Sequence, residues 1–422
     1  MTQALAYPTL QTDGWRFTDL APLLQYEFHP VADTVDDSVV SAKVTLARIE
    51  KYLIPDVIRL VFVNGYYQEN LSDLTLMNHG TSVSNLRSKN FKVDPGLRRD
   101  DSCWDSQPNL KSKNLEDMVP STPHTCVRED DIFTALNTRF SAEVAQIKVT
   151  GNCDAEIHFL HIATTLDKPT ASYPKCVVSL EKNSKATLIE DYVGMDIDNV
   201  YFSDAVTDIT LEKDASLNHV MLQRVAKSAF HIGNCSVKLQ QNSRYVATPI
   251  MLGARLSRYT LDVSLLGAGA NVELNGLTLI DGRQVADVHT VVNHVSANAK
   301  SVQLQKCITD NAAQAVFNGK IIVATGASKT HAEQQSRNLI LADKARINTQ
   351  PQLEINNDDV ICSHGATVSQ IDPETLFFLK SRGIGDEPAK NLFIHAFATE
   401  IINKIPVDAV VKLLKRQIIT TQ

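Results

Sequence analysis

The chain has 422 residues, of which 43% are hydrophobic and 21% charged, as in a globular protein with two or three structural units. Its net charge of -7 argues against a nucleic-acid-binding surface, and no apolar run reaches the ~20 residues that span a bilayer. The N-terminus lacks the pattern of a secretory signal, and seven scattered cysteines suit a reducing compartment, so we expect a cytoplasmic protein.

The N-terminal third of the chain divides into two stretches of different character. Residues 1–80 predict a mixed, partly helical region, with helical patterns in FTDLAPLLQYEF and SAKVTLARIEKYL. Residues 81–128 are rich in Asp, Ser, Asn, Lys and Pro and lose hydrophobic periodicity, which predicts a flexible insertion. Cys103, His124 and Cys126 lie there, and we expect no metal site because a mobile segment does not preorganise ligands.

Residues 129–369 predict a β-rich core. Short alternating runs such as AQIKVTG, YTLDVSLLG and KIIVATG follow one another between small polar turns. A leucine with a small residue four positions later recurs at spacings of 31, 28, 26 and 76 residues, at Leu180, Leu211, Leu239, Leu265 and Leu341. The last spacing equals three further repeats of about 25 residues, and such a period predicts a solenoid. We expect a parallel β-helix, with a β-sandwich as the alternative.

One short motif near the end of this core combines two potential metal ligands. Residues 358–368 read DDVICSHGATV, and in an extended segment Cys362 and His364 point to the same face. A thiolate and an imidazole suit zinc or iron. Two ligands do not complete a site, however, and C-x-H lacks the specificity of paired C-x-x-C motifs. The alternative is that Cys362 packs as a small apolar residue and His364 is an ordinary surface histidine.

Residues 370–422 predict a helical region. Asp372 and Pro373 are a typical cap and first helical residue, and the apolar run that follows ends at Gly383. Asp386 begins a second predicted helix, and Pro406 precedes a third. We expect this helical group to close one end of the solenoid and to offer a separate docking surface.

Other histidines, acids and cysteines are weaker candidates. Asp287 and His289 would share a strand face, with His294 opposite, as an acid/base or metal cluster or simply as polar side chains stacked on a solenoid surface. His158 and His161 should lie on opposite faces of one strand, which argues against a joint site. The remaining cysteines are interpreted as packing residues: Cys153, Cys176, Cys235 and Cys307.

Several motifs together resemble a known family. The segment PQLEINNDDVICSHGATVSQIDPETLFFLKSRGI at 351–384 closely resembles the characteristic motif of the SufB/SufD family of iron–sulfur cluster assembly proteins. VADVHTVVNH at 285–294 and residues 315–355 continue the resemblance, and GWRFTDLAPL at 14–23 is similar to the family's tryptophan-containing N-terminal motif. SufB chains carry a cysteine before the LEI strand, whereas SRNLILADKARINTQPQLEI has none, so the resemblance is to the SufD branch.

This resemblance implies an architecture and a set of partners. The family fold is a right-handed parallel β-helix between helical N- and C-terminal parts. The chain would be a non-enzymatic scaffold that pairs with a SufB-like subunit and carries a SufC-like ABC-type ATPase on its C-terminal helices. No G-x-x-x-x-G-K-[ST] loop is present, so ATP would be bound by that ATPase. By the CSHGAT match, His364 would face a cysteine of the SufB-like subunit and help to hold a transient iron–sulfur cluster. Cys362 is a weaker second candidate.

Two other functions remain open. A purely structural partner would have the same fold and would differ only in giving His364 no ligand role. A β-helix enzyme acting on carbohydrate would need carboxylates or basic residues clustered in a groove, but the acids here are scattered. The iron content and visible spectrum of the chain purified with its partners would distinguish a purely structural partner from a cluster scaffold.

Overall fold

The computed structural model describes residues 6–31, 44–77, 80–87, 131–164, 168–195 and 199–420. Residues 88–130, most of the predicted insertion, lie outside these ranges, as do the candidates within it. The N-terminal helices are α1 (Ala21–Leu24), α2 (Leu46–Ile49) and α3 (Ile132–Phe140). The first strands are β1 (His29–Pro30), β2 (Ile58–Val63), β3 (Tyr66–Tyr67) and β4 (Thr81–Arg87). Within the described ranges, no helix is long and apolar enough to cross a membrane.

The chain then alternates between two sheets. The first sheet continues with β5 (Glu143–Val149), β7 (Thr170–Ser172), β8 (Lys175–Leu180), β10 (Tyr201–Leu211), β12 (Phe230–Leu239), β14 (Leu256–Leu265), β16 (Val285–His294), β18 (Gln314–Val323) and β20 (Arg346–Ile355). The second contains β2 and β3, then β6 (Ile157–Ala163), β9 (Lys185–Gly194), β11 (Ser216–Arg224), β13 (Arg244–Met251), β15 (Asn271–Ile280), β17 (Lys300–Thr309), β19 (Thr330–Ile340) and β21 (Val360–Gln370). Successive strands of each sheet, from β8 and β6 onward, pair in parallel, so the predicted parallel β-solenoid is confirmed, with about 7 turns.

The leucine repeat of the sequence corresponds to a stack of aligned residues. Leu180, Leu211, Leu239 and Leu265 occupy paired positions on neighbouring strands and are fully buried. The stack continues through His294, Val323 and Ile355. The assignment of Leu341 to this stack was wrong, because Leu341 follows β19 in the second sheet. The later turns of the solenoid are longer than 25 residues, so the agreement between the 76-residue spacing and three repeats of about 25 residues was a coincidence.

The turns that lead from the first sheet to the second also stack. Each contains a residue with positive φ, in chain order Asn183, Asp214, Asn242, Gly269, Asn298 and Lys329. Each of their amides donates to a carbonyl of the next turn, as in Asn183 N–H to Lys213 O at 3.1 Å and Asp214 N–H to Gln241 O at 2.9 Å. Asn, Asp and Gly tolerate this left-handed conformation best, which explains their recurrence.

Three helices follow the solenoid: α4 (Pro373–Ser381), α5 (Asp386–Ile402) and α6 (Asp408–Thr420). The helices α5 and α6 pack along the outer face of the second sheet, where Ile394 and Val410 join a buried cluster with Ile250 and Leu277. The expectation that the helical group closes one end of the solenoid is therefore wrong. Outward positions on the middle strands of the second sheet are apolar, and the two helices remove them from solvent.

The C-terminal end of the solenoid is open among the described residues. The strands β20 and β21 are the last of their sheets, and no described strand pairs with their outer edges. Three large apolar side chains are exposed there: Ile355 at 41%, Ile361 at 68% and Val368 at 51%. Open sheet edges and exposed apolar residues are typical of surfaces that bind another chain.

Candidate functional site

Cys362 and His364 both lie in β21, on the open end of the solenoid. Residues two apart in a strand share a face, so the two side chains point the same way. Cys362 is half-buried against the solenoid core, and this burial raises the pKa of its thiol. His364 is exposed. The imidazole of His364 is therefore accessible to a partner, whereas the thiol of Cys362 is partly buried.

The strand pairing shows which face this is. Cys362 and His364 pair with Ala332 and Gln334 of β19, which are buried inside the solenoid. His364 therefore continues an interior column of side chains at the point where the column reaches solvent. The Gln334 Nε2 donates to Gln303 Oε1 at 2.8 Å, and the Gln303 Nε2 donates to Thr290 Oγ1 at 2.9 Å. These interior hydrogen bonds hold fixed the layer on which His364 rests.

Asp287 and His289 are part of a buried ion-pair cluster on the outer face of the first sheet. The Asp287 carboxylate accepts from Arg258 Nη1 at 2.6 Å and Thr18 Oγ1 at 2.5 Å, and His289 Nε2 lies 2.9 Å from its other oxygen. Burial alone would raise the pKa of Asp287, but the charges of Arg258 and His289 and the hydrogen bonds from His289 and Thr18 together outweigh burial and hold the pKa below its usual value. The Arg258 guanidinium also lies 3.9 Å from the centre of the Trp15 ring.

This cluster has a structural role, because Trp15 and Thr18 belong to the N-terminal GWRFTDL motif. The Arg258 Nη1 also donates to the Gly14 carbonyl at 2.7 Å. The cluster therefore fastens the N-terminal segment to the solenoid. A metal ion would have to compete with the Arg258 guanidinium for the same carboxylate. The alternative of polar side chains stacked on a solenoid face describes this cluster better than a metal site does.

Three other histidines, His158, His161 and His294, point to the strand faces that their positions in the sequence predicted. His158 points outward, and its Nε2 lies 3.4 Å from the carboxylate of Asp191, which also pairs with Arg224. His294 points inward, where its Nε2 lies 2.8 Å from Ser301 Oγ, and burial lowers its pKa to about 4. His161 lies in the solenoid interior, on the face opposite to His158.

His161 belongs to a cluster that the sequence analysis missed. Its Nε2 lies 3.7 Å from the Cys176 thiol, and both residues lie near the Glu190 carboxylate. All three are buried, and they form the one group of three potential metal ligands among the described residues. Burial lowers the pKa of His161 to about 4 and raises that of Cys176. Burial also works against ionisation of Glu190, but the hydrogen bonds and charges of its neighbours, chiefly His219 and then His161 and Thr207, together outweigh burial and bring the pKa of Glu190 to about 2.

The structure thus defines a parallel β-solenoid protein whose last strand presents a histidine and a cysteine at an open end. The domain described as "SUF system FeS cluster assembly, SufBD core domain" matches residues 161–397. This chain belongs to that family of iron–sulfur cluster assembly proteins, as the motifs predicted.

Curated relatives extend the similarity over most of the chain. An iron–sulfur cluster assembly SufBD family protein of Synechocystis is 33% identical over 416 residues, 96% of this chain and 85% of the relative. The iron–sulfur cluster assembly protein SufD of Escherichia coli is 28% identical, covering 93% of this chain and 84% of its own. SufD of Bacillus subtilis is 28% identical over 67% of this chain and 65% of its own.

Proposed function

We propose that this chain is a non-enzymatic, cytoplasmic scaffold subunit on which an iron–sulfur cluster is assembled as cargo. The observation that carries the proposal is the open end of the solenoid, where the exposed His364 stands on a strand with a free edge. Membership of the family supports the cluster as the cargo. In this function His364 supplies one ligand, Cys362 is a secondary ligand, and a thiolate of the partner completes the shared site.

The partner at this end is a SufB-like subunit. A second solenoid fits the open end because its own last strands can extend both sheets or cover the exposed apolar side chains. Of the twelve large apolar residues that are exposed among the described residues, three lie on the last two strands: Ile355, Ile361 and Val368. Such clustering marks an interaction surface rather than the scattered exposure of ordinary surfaces.

The pairing is tested by placing a charge on the last strand of the open end. We expect Ile361→Asp to reduce co-purification of the SufB-like subunit by about 10-fold or more, because it replaces the most exposed large apolar side chain of the last two strands with a charge that the interface would have to bury. Leu266→Asp is the matched control, since Leu266 is 36% exposed in a turn midway along the solenoid. The measurement is the subunit ratio after affinity purification of a tagged chain. An unchanged ratio for Ile361→Asp would place the partner elsewhere.

The ATPase subunit has a different surface in this proposal. The inner sides of α5 and α6 are buried against the second sheet, so only their outer sides and α4 are accessible. On these surfaces Phe377 is 74% exposed, Phe378 51% and Leu392 52%. Aromatic side chains with this exposure are typical anchors of protein interfaces. A SufC-like ATPase that docks here would bind and hydrolyse the ATP.

Point substitutions test this surface better than deletion of the helices. Removing α5 and α6 would uncover the apolar outer face of the second sheet and destabilise the whole solenoid. We expect Phe377→Asp to lower co-purification of the ATPase by about 10-fold while the SufB-like subunit stays bound. Ile361→Asp should show the opposite pattern. If Phe377→Asp instead releases the SufB-like subunit, α4 belongs to the interface at the open end.

A further inference from the structure

We propose that His161, Cys176 and Glu190 form a resident site for a divalent ion of intermediate softness, Zn²⁺ or Fe²⁺, inside the solenoid. These residues lie on β6, β8 and β9, near the N-terminal end of the solenoid. Seven strand spacings of about 4.8 Å separate β6 from β21, so the site lies about 34 Å from the strand of His364. It is therefore distinct from the site proposed for cluster assembly and does not depend on that proposal.

The ligand spacing matches tetrahedral coordination. Metal–nitrogen and metal–sulfur bonds of about 2.0 and 2.3 Å at a tetrahedral angle place the two ligand atoms about 3.5 Å apart. The observed distance from His161 Nε2 to Cys176 Sγ is 3.7 Å. One ligand atom from each of the three residues lies within 4.8 Å of the others. Thiolate, imidazole and carboxylate together favour zinc or ferrous iron over magnesium or calcium.

The carboxylate is held by neighbouring groups of the kind that surround metal ligands. The Glu190 Oε1 accepts from Tyr192 Oη at 2.8 Å and Thr207 Oγ1 at 2.6 Å, and Oε2 lies 3.1 Å from His219 Nε2. The other nitrogen of His219 lies 2.8 Å from Tyr245 Oη. Such outer contacts fix the orientation of a ligating carboxylate before a metal arrives.

The ligand nitrogen of His161 is available to an ion. Its Nε2 lies 3.7 Å from the Cys176 thiol, and a thiol is only a weak hydrogen-bond donor. An ion can therefore take the Nε2 lone pair without breaking a strong hydrogen bond. His161 Nδ1 and both nitrogens of the buried His231 have no hydrogen-bond partner, which is unusual for buried groups, and the centroids of both rings lie within 4.9 Å of that of Tyr192.

The ligands can also balance the charge of the ion. The Glu190 carboxylate supplies one negative charge inside the cluster. When the ion binds, the Cys176 thiol releases its proton to solvent, so two anionic ligands and one neutral imidazole balance the two positive charges. The ion and its three ligands together are neutral, which suits a buried site. Because it joins strands of both sheets and is closed to solvent, we assign it a structural role at this end of the solenoid.

Cobalt binding tests the site, because a thiolate bound to Co²⁺ gives a charge-transfer absorption band. The full chain is refolded with Co²⁺, since a buried site loads during folding, and is also assayed for metal as purified. We expect one Co²⁺ per chain with a thiolate band, displaced by Zn²⁺, and a higher melting temperature than that of chain refolded in chelator. Cys176→Ser should remove the band and weaken binding by about 100-fold, and Tyr192→Phe should weaken it by about 10-fold.

The matched control is Cys307→Ser. Cys307 is an equally buried interior cysteine on β17, distant from the cluster, and its variant should keep the band. Circular dichroism confirms that each variant is folded. The proposal is overturned if the refolded wild-type chain shows no thiolate band, or if Cys176→Ser keeps it. An outcome in which the complex assembles clusters normally but the isolated chain binds no Co²⁺ would reject this site and leave the proposed function intact.

Discussion

Replacement of His364 by alanine is expected to abolish cluster accumulation on the assembled complex without dissociating it. The side chain is exposed and makes no hydrogen bond or ion pair with the described part of the chain, so its removal costs little folding free energy. A single surface side chain also contributes little to a large interface. Loss of a ligand to the cluster, in contrast, removes one of the few bonds that hold the cargo. We expect iron and sulfide content to fall by about 10-fold or more, as outer-shell losses alone cost 10–100-fold.

The control variants separate a ligand role from a merely structural one. His331→Ala removes another exposed histidine, on β19 beside β21, whose side chain points away from the interior column, and should leave cluster content unchanged. His364→Cys should restore part of the cluster, because thiolate is the commoner ligand of iron–sulfur centres. Cys362→Ser should have a milder effect, since Cys362 is half-buried. Cluster content is read from iron and sulfide assays of complexes purified from cells that express the whole system. Normal content in His364→Ala would support a purely structural partner.

The solenoid could be predicted because its structural repeat is accompanied by a repeat in the amino-acid sequence. The strands alternate polar and apolar residues, and the turns carry Asn, Asp or Gly where a left-handed residue is needed, as at Asn183 and Asn242. Stacked turns require equivalent residues at equivalent positions, so the period becomes visible. The repeat weakens after Leu265, where His294 takes the leucine position, and this is where the extrapolation to Leu341 went wrong.

The position of the C-terminal helices could not be derived in the same way. An apolar stripe on a helix shows that one side is buried, but not which surface covers it. Ile250 and Leu277 point outward from the second sheet and are covered by the helices. In the sequence, such outward apolar residues cannot be distinguished from apolar residues of the solenoid core. Only the strand register shows which alternate set points outward.

The candidate sites show the same limit. Alternation alone placed Cys362 and His364 on one face, but only the pairing with Gln334 shows that this is the interior face reaching an open end. His161, Cys176 and Glu190 are separated by 15 and 14 residues and come from three strands. No local spacing connects them, because the turns of the solenoid bring them together. The inward positions of adjacent strands, read together, are the signal that would have found them.

Replacement of Arg258 by alanine is expected to cause a large loss of stability although it leaves the solenoid interior untouched. It removes the guanidinium that donates to the Asp287 carboxylate at 2.6 Å and lies 3.9 Å from the centre of the Trp15 ring. Asp287 is fully buried, so its charge is left with only His289 and Thr18 as partners. Removing one partner of a buried ion pair typically costs about 3–5 kcal/mol.

The matched control is Arg255→Ala. Arg255 is exposed, and its guanidinium lies 5.9 Å from the centre of the Phe230 ring, so it should cost less than about 1 kcal/mol. Unfolding in urea followed by circular dichroism gives both free energies, and Trp15 fluorescence reports whether the N-terminal segment is released. A cost below 1 kcal/mol for Arg258→Ala would show that His289 alone compensates the carboxylate.

The pH dependence identifies the cause of the loss. In the wild-type chain the pKa of Asp287 is held below its usual value, so its contribution is complete above pH ~4 and is lost only as the pH falls through the lowered pKa. In Arg258→Ala, burial without the guanidinium raises that pKa, and the buried charge destabilises the chain most at neutral pH. Lowering the pH from 7 to about 4 protonates Asp287 in the variant first and relieves its penalty. The difference in unfolding free energy between the two proteins should therefore narrow over this range, whereas a loss due only to the Trp15 contact would be independent of pH.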